Sequence, residues 1–169
     1  MKAKALVFAA LSVLTVSAVA DTQSNSGFYA GGGVNRVELK DSDAGWTAVE
    51  LLGGYKLNPY VGGELRLGAA AEGDPNLVGY SSLYYRTESA NPTAKAYLLA
   101  GVSSGIISVK NAAPDEDDTH SFFGASFGAG VGFVINSDWN LNLEYRLLAK
   151  DTDKDLELTS IAATIDYRF

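Results

Sequence analysis

The chain contains one histidine, His120, followed directly by Ser121, and these are residue types of a serine hydrolase. Such an enzyme needs the imidazole within hydrogen-bond reach of the nucleophile, with a third group that orients the base. Neighbouring residues of a β-strand point to opposite faces, so a strand through this pair would separate the two side chains. There is no cysteine to act as an alternative nucleophile. We interpret His120 as a solvated loop residue and predict that the protein is not an enzyme.

The densest acidic run is Asp115-Glu116-Asp117-Asp118. Carboxylate oxygens are the ligands that Ca²⁺ and Mg²⁺ prefer, so the four acids are weak candidate metal ligands. Their consecutive spacing does not match an EF-hand loop, in which ligands alternate and a glycine stands at the turn. We favour a solvated acidic loop, and we predict no metal site and no cofactor.

Nine charged residues stand at alternate positions in otherwise apolar segments, where buried charges would have to pair with one another. Five are basic and four are acidic, so the set is nearly balanced in sign. This pattern allows a closed network of ion pairs, or alternatively the lining of a narrow ion path. The residues are Glu50, Lys56, Glu64, Arg66, Arg86, Glu144, Arg146, Asp166 and Arg168.

Residues 1–20 have the layout of a secretory signal peptide. Lys2 and Lys4 precede an uncharged apolar run that ends in Ala18-Val19-Ala20. The run is short for a membrane-spanning helix, which needs about 20 apolar residues. We predict cleavage after Ala20 and a single mature domain of residues 21–169. Of the chain's 13 basic residues, Lys2 and Lys4 lie in this segment, which leaves 11 against 20 acidic ones. That balance disfavours nucleic acid as a partner.

From Gly27 onward, segments of roughly ten residues alternate apolar and polar side chains and are separated by turn-forming stretches. In the last segment Ile161 and Ile165 share a face, whereas Thr164 and Asp166 lie on the other. This period of two predicts eight β-strands. In the fourth, the three tyrosines Tyr80, Tyr84 and Tyr85 break a strict alternation. The predicted strands are Gly27–Leu39, Gly45–Leu57, Tyr60–Ala70, Val78–Thr87, Lys95–Lys110, Ser121–Ile135, Asn140–Lys150 and Leu156–Phe169.

The connections between these strands alternate in kind. Residues 56–59, 89–92 and 136–139 are short and contain turn-forming Asn, Pro and Ser. The connections at 40–44, 71–77, 111–120 and 151–155 are mostly longer and acidic. An up-and-down meander collects the second group at one end, as expected for the external loops of a membrane barrel.

The glycines indicate which face of the strands points inward. Gly128, Gly130 and Gly132 share the charged face, and their small size leaves room in the narrow interior of an eight-stranded barrel. The apolar face would then contact lipid. We expect its aromatic residues at the strand ends, forming an interfacial girdle of Tyr55, Tyr145, Tyr167 and Phe169.

Several segments resemble a known family of small membrane barrels. The ending Ile165-Asp166-Tyr167-Arg168-Phe169 resembles the C-terminal signal of outer-membrane barrels, in which a terminal aromatic follows alternating apolar residues. Residues 27–32, 97–102 and 141–146 resemble strands of the outer-membrane protein A-like and X-like eight-stranded barrels. The resemblance implies that Ile165, Tyr167 and Phe169 are read by the barrel-assembly machinery. Because the sequence stops at Phe169, we expect no peptidoglycan-binding domain after the barrel.

Together these observations predict an all-β, eight-stranded antiparallel up-and-down transmembrane β-barrel in the bacterial outer membrane. We expect a non-enzymatic monomer with acidic extracellular loops and a structural or surface-interaction role. The expected partners are outer-membrane lipid, lipopolysaccharide and the assembly machinery, and the acidic loops are hypothesised to bind divalent cations bridging lipopolysaccharide phosphates. The alternatives are a small porin-like channel, a lipid-modifying enzyme and a soluble lipocalin-like carrier with its faces reversed.

Overall fold

A computed structural model describes residues 26–40, 45–72, 76–89, 91–110, 117–151 and 156–169. They form eight β-strands, and among the described residues no helix is long and apolar enough to cross a membrane. In chain order the strands are β1 (Gly27–Leu39), β2 (Gly45–Lys56), β3 (Val61–Glu72), β4 (Asn76–Glu88), β5 (Ala94–Lys110), β6 (Asp117–Val134), β7 (Trp139–Asp151) and β8 (Leu156–Arg168).

Each strand pairs antiparallel with its neighbours in sequence, and the first and last strands pair with each other. The β1–β8 ladder runs from Tyr29 opposite Arg168 to Leu39 opposite Leu158 and closes the sheet into a barrel. Closure leaves no strand edge unpaired, which is the condition for placing a sheet in lipid. The predicted eight-stranded antiparallel up-and-down barrel is confirmed.

Side chains alternate between a buried interior and an exposed exterior, and the polar set is the buried one. On β7, Asn142, Glu144 and Arg146 are buried, whereas Leu143 and Tyr145 are exposed. The exposed side chains of the other strands are likewise predominantly Leu, Val, Ile and Phe. A soluble carrier has the reverse arrangement, so the lipocalin-like alternative is wrong, and the exterior is the apolar band of a transmembrane barrel.

The two ends of the barrel differ in how the strands are connected. We call the end with residues 57–60, 89–93 and 135–138 the turn end and the opposite one the loop end. In each turn an asparagine side chain accepts hydrogen bonds from two backbone N–H groups. Asn58 Oδ1 accepts from Tyr60 N at 2.9 Å and from Val61 N at 3.1 Å. Asn91 and Asn136 repeat this arrangement. The side chain replaces the missing strand partner at the point where the chain reverses.

Strands extend into two of the connections expected at the loop end, so that β3 and β4 reach Glu72 and Asn76 and β6 begins at Asp117. The β5–β6 ladder continues to Lys110 opposite Asp117, which makes β5 and β6 the longest strands, with 17 and 18 residues. His120, predicted in a loop, therefore lies in β6 opposite Ile107. Backbone pairing continues through polar residues because each added pair satisfies N–H and C=O groups whatever the side chain.

Candidate functional site: the barrel lumen

Arg66 lies at the centre of the lumen and contacts three carboxylates. Its Nη2 donates to Glu144 Oε2 at 2.9 Å, and its Nη1 donates to Glu50 Oε1 at 2.9 Å and also contacts Glu144 Oε1. Its Nε donates to Glu64 on the same strand. The side chains of these four residues have no solvent exposure. A guanidinium carries five N–H donors in a planar fork, which allows one arginine to bridge carboxylates from β2, β3 and β7.

Two further arginines extend the pairing along the lumen. Arg146 Nη2 donates to Glu50 Oε2 at 2.8 Å, and its Nε lies 2.9 Å from Glu144 Oε1. Arg86 Nη1 donates to Glu64 Oε2 at 2.9 Å. The three arginines and three glutamates therefore form one connected set of balanced charge, which we call the central network. Balance and pairing are what permit charges inside a dry lumen.

Lumen tyrosines donate further hydrogen bonds to the carboxylates of the central network, while Arg146 Nε and Nη1 have no hydrogen-bond partner among the described residues. The Tyr29 hydroxyl donates to Glu64 at 2.7 Å and the Tyr97 hydroxyl donates to Glu144 at 2.8 Å, while Tyr80 contacts Glu50. The Arg86 guanidinium also lies 3.9 Å from the centre of the Tyr97 ring, within cation–π range.

Glycines on neighbouring strands make room for these large side chains. A Cβ added at Gly130 would overlap the Tyr97 ring, and one at Gly54 would overlap the Tyr29 ring. The predicted space-making role also extends to Gly128, where a Cβ would meet Arg146 Cγ at 2.8 Å. Gly54, Gly128 and Gly130 are thus required by the size of the residues opposite them.

At the turn end a second group of charges surrounds Glu88. Its Oε1 is contacted by Lys56 Nζ, by Lys95 Nζ at 3.3 Å and by Arg168 Nη2 at 3.9 Å, and its Oε2 accepts from Arg86 Nε at 3.2 Å. We call Lys56, Glu88, Lys95 and Arg168 the mouth cluster. Arg86 joins it to the central network.

Asp166 is the other buried carboxylate at this end. Its two oxygens accept from the amides of Asn140 at 3.0 Å and Asn142 at 2.6 Å.

The lumen becomes apolar towards the loop end, which the sequence analysis did not anticipate. Buried side chains from β1, β2 and β4–β8 pack there around Trp46, which has no exposed surface. At β7 a register shift between Leu147 and Ala149 turns both Leu148 and Ala149 inward. The apolar layer consists of Val37, Trp46, Tyr80, Ile107, Phe122, Leu148, Ala149 and Leu158.

The structure places all nine residues predicted for the lumen inside the barrel. Eight are buried, and Arg168 at the turn end is partly exposed. Sequence reasoning missed Glu88 and Lys95, and it missed the lumen tyrosines. Residue parity was the available signal, because Tyr80 and Tyr84 stand an even number of positions from Arg86 on β4 and share its face.

Aromatic residues form a girdle on the exterior of the turn end. Phe28 packs on Tyr55 with ring centres 4.7 Å apart, and Trp139, Tyr167 and Phe169 form a continuous edge-to-face row. The expected position of Tyr145 is wrong: it lies at the middle of β7, exposed on the apolar band. Either leucine or tyrosine fits the apolar positions of that strand. The alternation therefore predicts the face on which Tyr145 lies but not its position along the barrel axis.

The metal candidates are only partly described. Asp117 and Asp118 belong to β6, which corrects their predicted loop position, while Asp115 and Glu116 lie outside the described residues. Among the described residues there is no group of three or more His, Asp or Glu side chains positioned to hold a metal ion.

The solved structures that resemble this chain include transmembrane barrels. The N-terminal β-barrel domain of Pseudomonas aeruginosa OprF matches with a TM-score of 0.68 at 15% identity, covering 86% of this chain and 98% of that one. Ail, the attachment invasion locus protein of Yersinia pestis, matches at 0.60 and 17%, covering 87% and 99%. Neisserial surface protein A matches at 0.58 and 16%, covering 86% and 98%. At these identities the similarity establishes the fold.

The sequence itself gives the family. No curated protein sequence matches the chain. Residues 6–169, however, match the outer membrane protein beta-barrel domain. This match spans nearly the whole chain and agrees with the closed barrel and its apolar exterior. The chain therefore belongs to the outer membrane protein beta-barrel domain family and is a bacterial outer-membrane β-barrel.

Proposed function

We propose that the protein is a closed, non-enzymatic outer-membrane barrel that serves the envelope structurally and presents an acidic surface at its loop end. The observation that carries this proposal is the filled lumen. The central network and the apolar layer stand in series, and Arg66, Arg146 and Trp46 have no exposed surface. A water-filled pore would leave polar lumen side chains accessible, whereas an eight-stranded barrel holds side chains only.

The same proposal sets the orientation in the membrane. The turn end faces the periplasm, because short turns are expected there. We also propose that the protein is exported with cleavage after Ala20. The assembly machinery then recognises Ile165, Tyr167 and Phe169. The exterior contacts outer-membrane lipid and lipopolysaccharide, and the barrel is a monomer.

The negative charge of the loop end favours binding partners that are cationic, or anionic partners that are linked to it through divalent cations. Its connecting sequences include Asp41, Asp43, Asp74, Asp153 and Asp155. Ail has been solved in complex with the heparin analogue sucrose octasulfate. An acidic surface repels such a polyanion, so we propose that the loop end of this protein does not bind sulfated saccharides. Saturable binding of sucrose octasulfate at physiological salt that is unchanged in Arg168→Gln would contradict this part of the proposal.

Planar-bilayer recording of the purified monomer tests closure. We expect no steady conductance steps from the unmodified protein. The matched positive control is Trp46→Gly combined with Arg66→Ala, which removes the largest side chain of each barrier. Steady, reproducible steps from the unmodified protein would support the porin-like alternative instead.

A further inference from the structure

The mouth cluster contains more positive groups than its carboxylate can satisfy. Glu88 Oε1 faces Lys56, Lys95 and Arg168 at once. A carboxylate oxygen has two lone pairs, so three cations exceed its capacity as an acceptor. Lys56 is in direct contact and Lys95 Nζ is at hydrogen-bond distance, 3.3 Å. Arg168, at 3.9 Å, lies beyond it.

Arg168 also has one donor without a partner. Its Nε is buried and has no hydrogen-bond partner within the part of the chain that the structure describes. A buried guanidinium N–H without an acceptor is costly, so a polar group that reaches it is stabilised. The mouth cluster therefore contains a guanidinium donor that the described groups of the protein leave unsatisfied.

The other charges facing this end do not cancel the excess. Asp166 is engaged by the amides of Asn140 and Asn142, and the sequences of the three turns contain one charged residue, Asp138. Among the described lumen groups beyond Arg86, three cations thus face the two carboxylates Glu88 and Asp166.

The mouth cluster is also accessible from the turn end. Side-chain exposure rises from 9% at Lys56 to 15% at Lys95 and 30% at Arg168. The two least satisfied cations are therefore the two that solution reaches first.

We propose that the mouth cluster is a binding site for a phosphate-type oxyanion, with Lys95 and Arg168 as its ligands. Tetrahedral oxyanions offer several acceptor oxygens, which suits a guanidinium fork beside an ammonium group. The anion reaches the site either as free phosphate or as the phosphate of a lipid headgroup. Lys56 remains with Glu88 and keeps that carboxylate from occupying the site. This inference does not depend on whether the barrel conducts.

The test uses the full chain in dodecyl maltoside micelles, which carry no phosphate group, titrated with inorganic phosphate while chloride keeps the ionic strength constant. We expect saturable binding by calorimetry and a shift of the Arg168 Nε–H resonance. Arg168→Gln and Lys95→Gln each remove a charge-assisted hydrogen bond and should weaken binding about tenfold. Lys40→Gln is the matched control, because Lys40 pairs with Glu157 on the exterior of the loop end and should not affect binding.

Glu88→Gln separates a lost site from a damaged barrel. The substitution removes the carboxylate that competes for the same cations, so the variant should bind phosphate more tightly than the unmodified protein. Misfolding would not produce tighter binding. In a second arm, phosphatidylglycerol titrated into the same micelles without added phosphate should shift the same resonance if the headgroup is the ligand. The proposal is overturned if neither arm gives a saturable response, or if Arg168→Gln and Lys95→Gln bind as the unmodified protein does.

Discussion

Glu144→Gln tests whether the central network stabilises the barrel. The substitution keeps the size of the side chain and removes its charge. Glu144 accepts two N–H groups of Arg66 and the Tyr97 hydroxyl, and it lies 2.9 Å from Arg146 Nε. Removing one partner of a buried ion pair costs about 3–5 kcal/mol. Both arginines keep another carboxylate, Glu50, so we expect a loss of about 3 kcal/mol, at the lower end of that range.

The matched control is Glu157→Gln, the same change in the exterior pair with Lys40. These side chains are 25% and 54% exposed, and an exposed pair contributes at most about 1 kcal/mol. The assay is urea unfolding from phospholipid vesicles, followed by the fluorescence of Trp46 and Trp139, with heat-modifiable gel mobility as the check of folding. A decrease in stability for Glu144→Gln no larger than that for Glu157→Gln would refute the assigned role of the network.

A double-mutant cycle with Arg146→Gln distinguishes a network from independent pairs. Each single variant leaves one member of the Glu144–Arg146 pair charged and without the other. The double variant leaves neither. We expect its cost to be smaller than the sum of the single costs by about 1–3 kcal/mol. Strict additivity would mean that Glu144 and Arg146 contribute separately.

Three further predictions concern other parts of the barrel. Gly33→Ala should lower the free energy of unfolding by about 1–3 kcal/mol, because its Cβ would meet Thr164 Cα at 2.6 Å. Gly53→Ala, whose Cβ meets nothing within 4 Å, should be nearly neutral in the same urea titration. Arg66→Ala alone should leave the barrel non-conducting in planar bilayers, since the apolar layer around Trp46 remains; conductance from this variant would show that the central network is the sole barrier. Phe169→Ser should reduce the amount of folded, heat-modifiable protein in cells while Leu57→Ser, also exposed at the turn end, should not; equal loss would argue against a C-terminal signal.

The sequence was sufficient to predict the strands and their faces because the period of two is a local property. Glu144 and Arg146 share a face on any straight strand, and the charge of that face indicated what surrounds the barrel. The partners of each charge were not predictable in the same way. Arg66 and Glu144 are far apart in sequence and meet only because the closed barrel brings β3 and β7 to the same level.

The apolar layer shows a different limit. Trp46 and Ile107 occupy inward positions that a polar-face argument assigns to charge, and only packing across the lumen shows why they are there. At Leu147–Ala149 the register shift breaks the alternation itself, so two successive residues point inward. A strict period of two places one of them on the wrong face, and no local feature of Leu148 or Ala149 indicates the shift.

The pairing of β1 with β8 also has a consequence for the order of events during synthesis. Every other ladder joins strands that follow each other along the chain, but Tyr29 cannot meet Arg168 until β8 has been made. Until then one edge of β1 stays unpaired and open to pairing with other chains. Closing so long a segment also carries a large entropy cost and slows folding. The nascent protein must therefore be kept from aggregating until β8 is available, and only a chain that includes β8 can close its barrel.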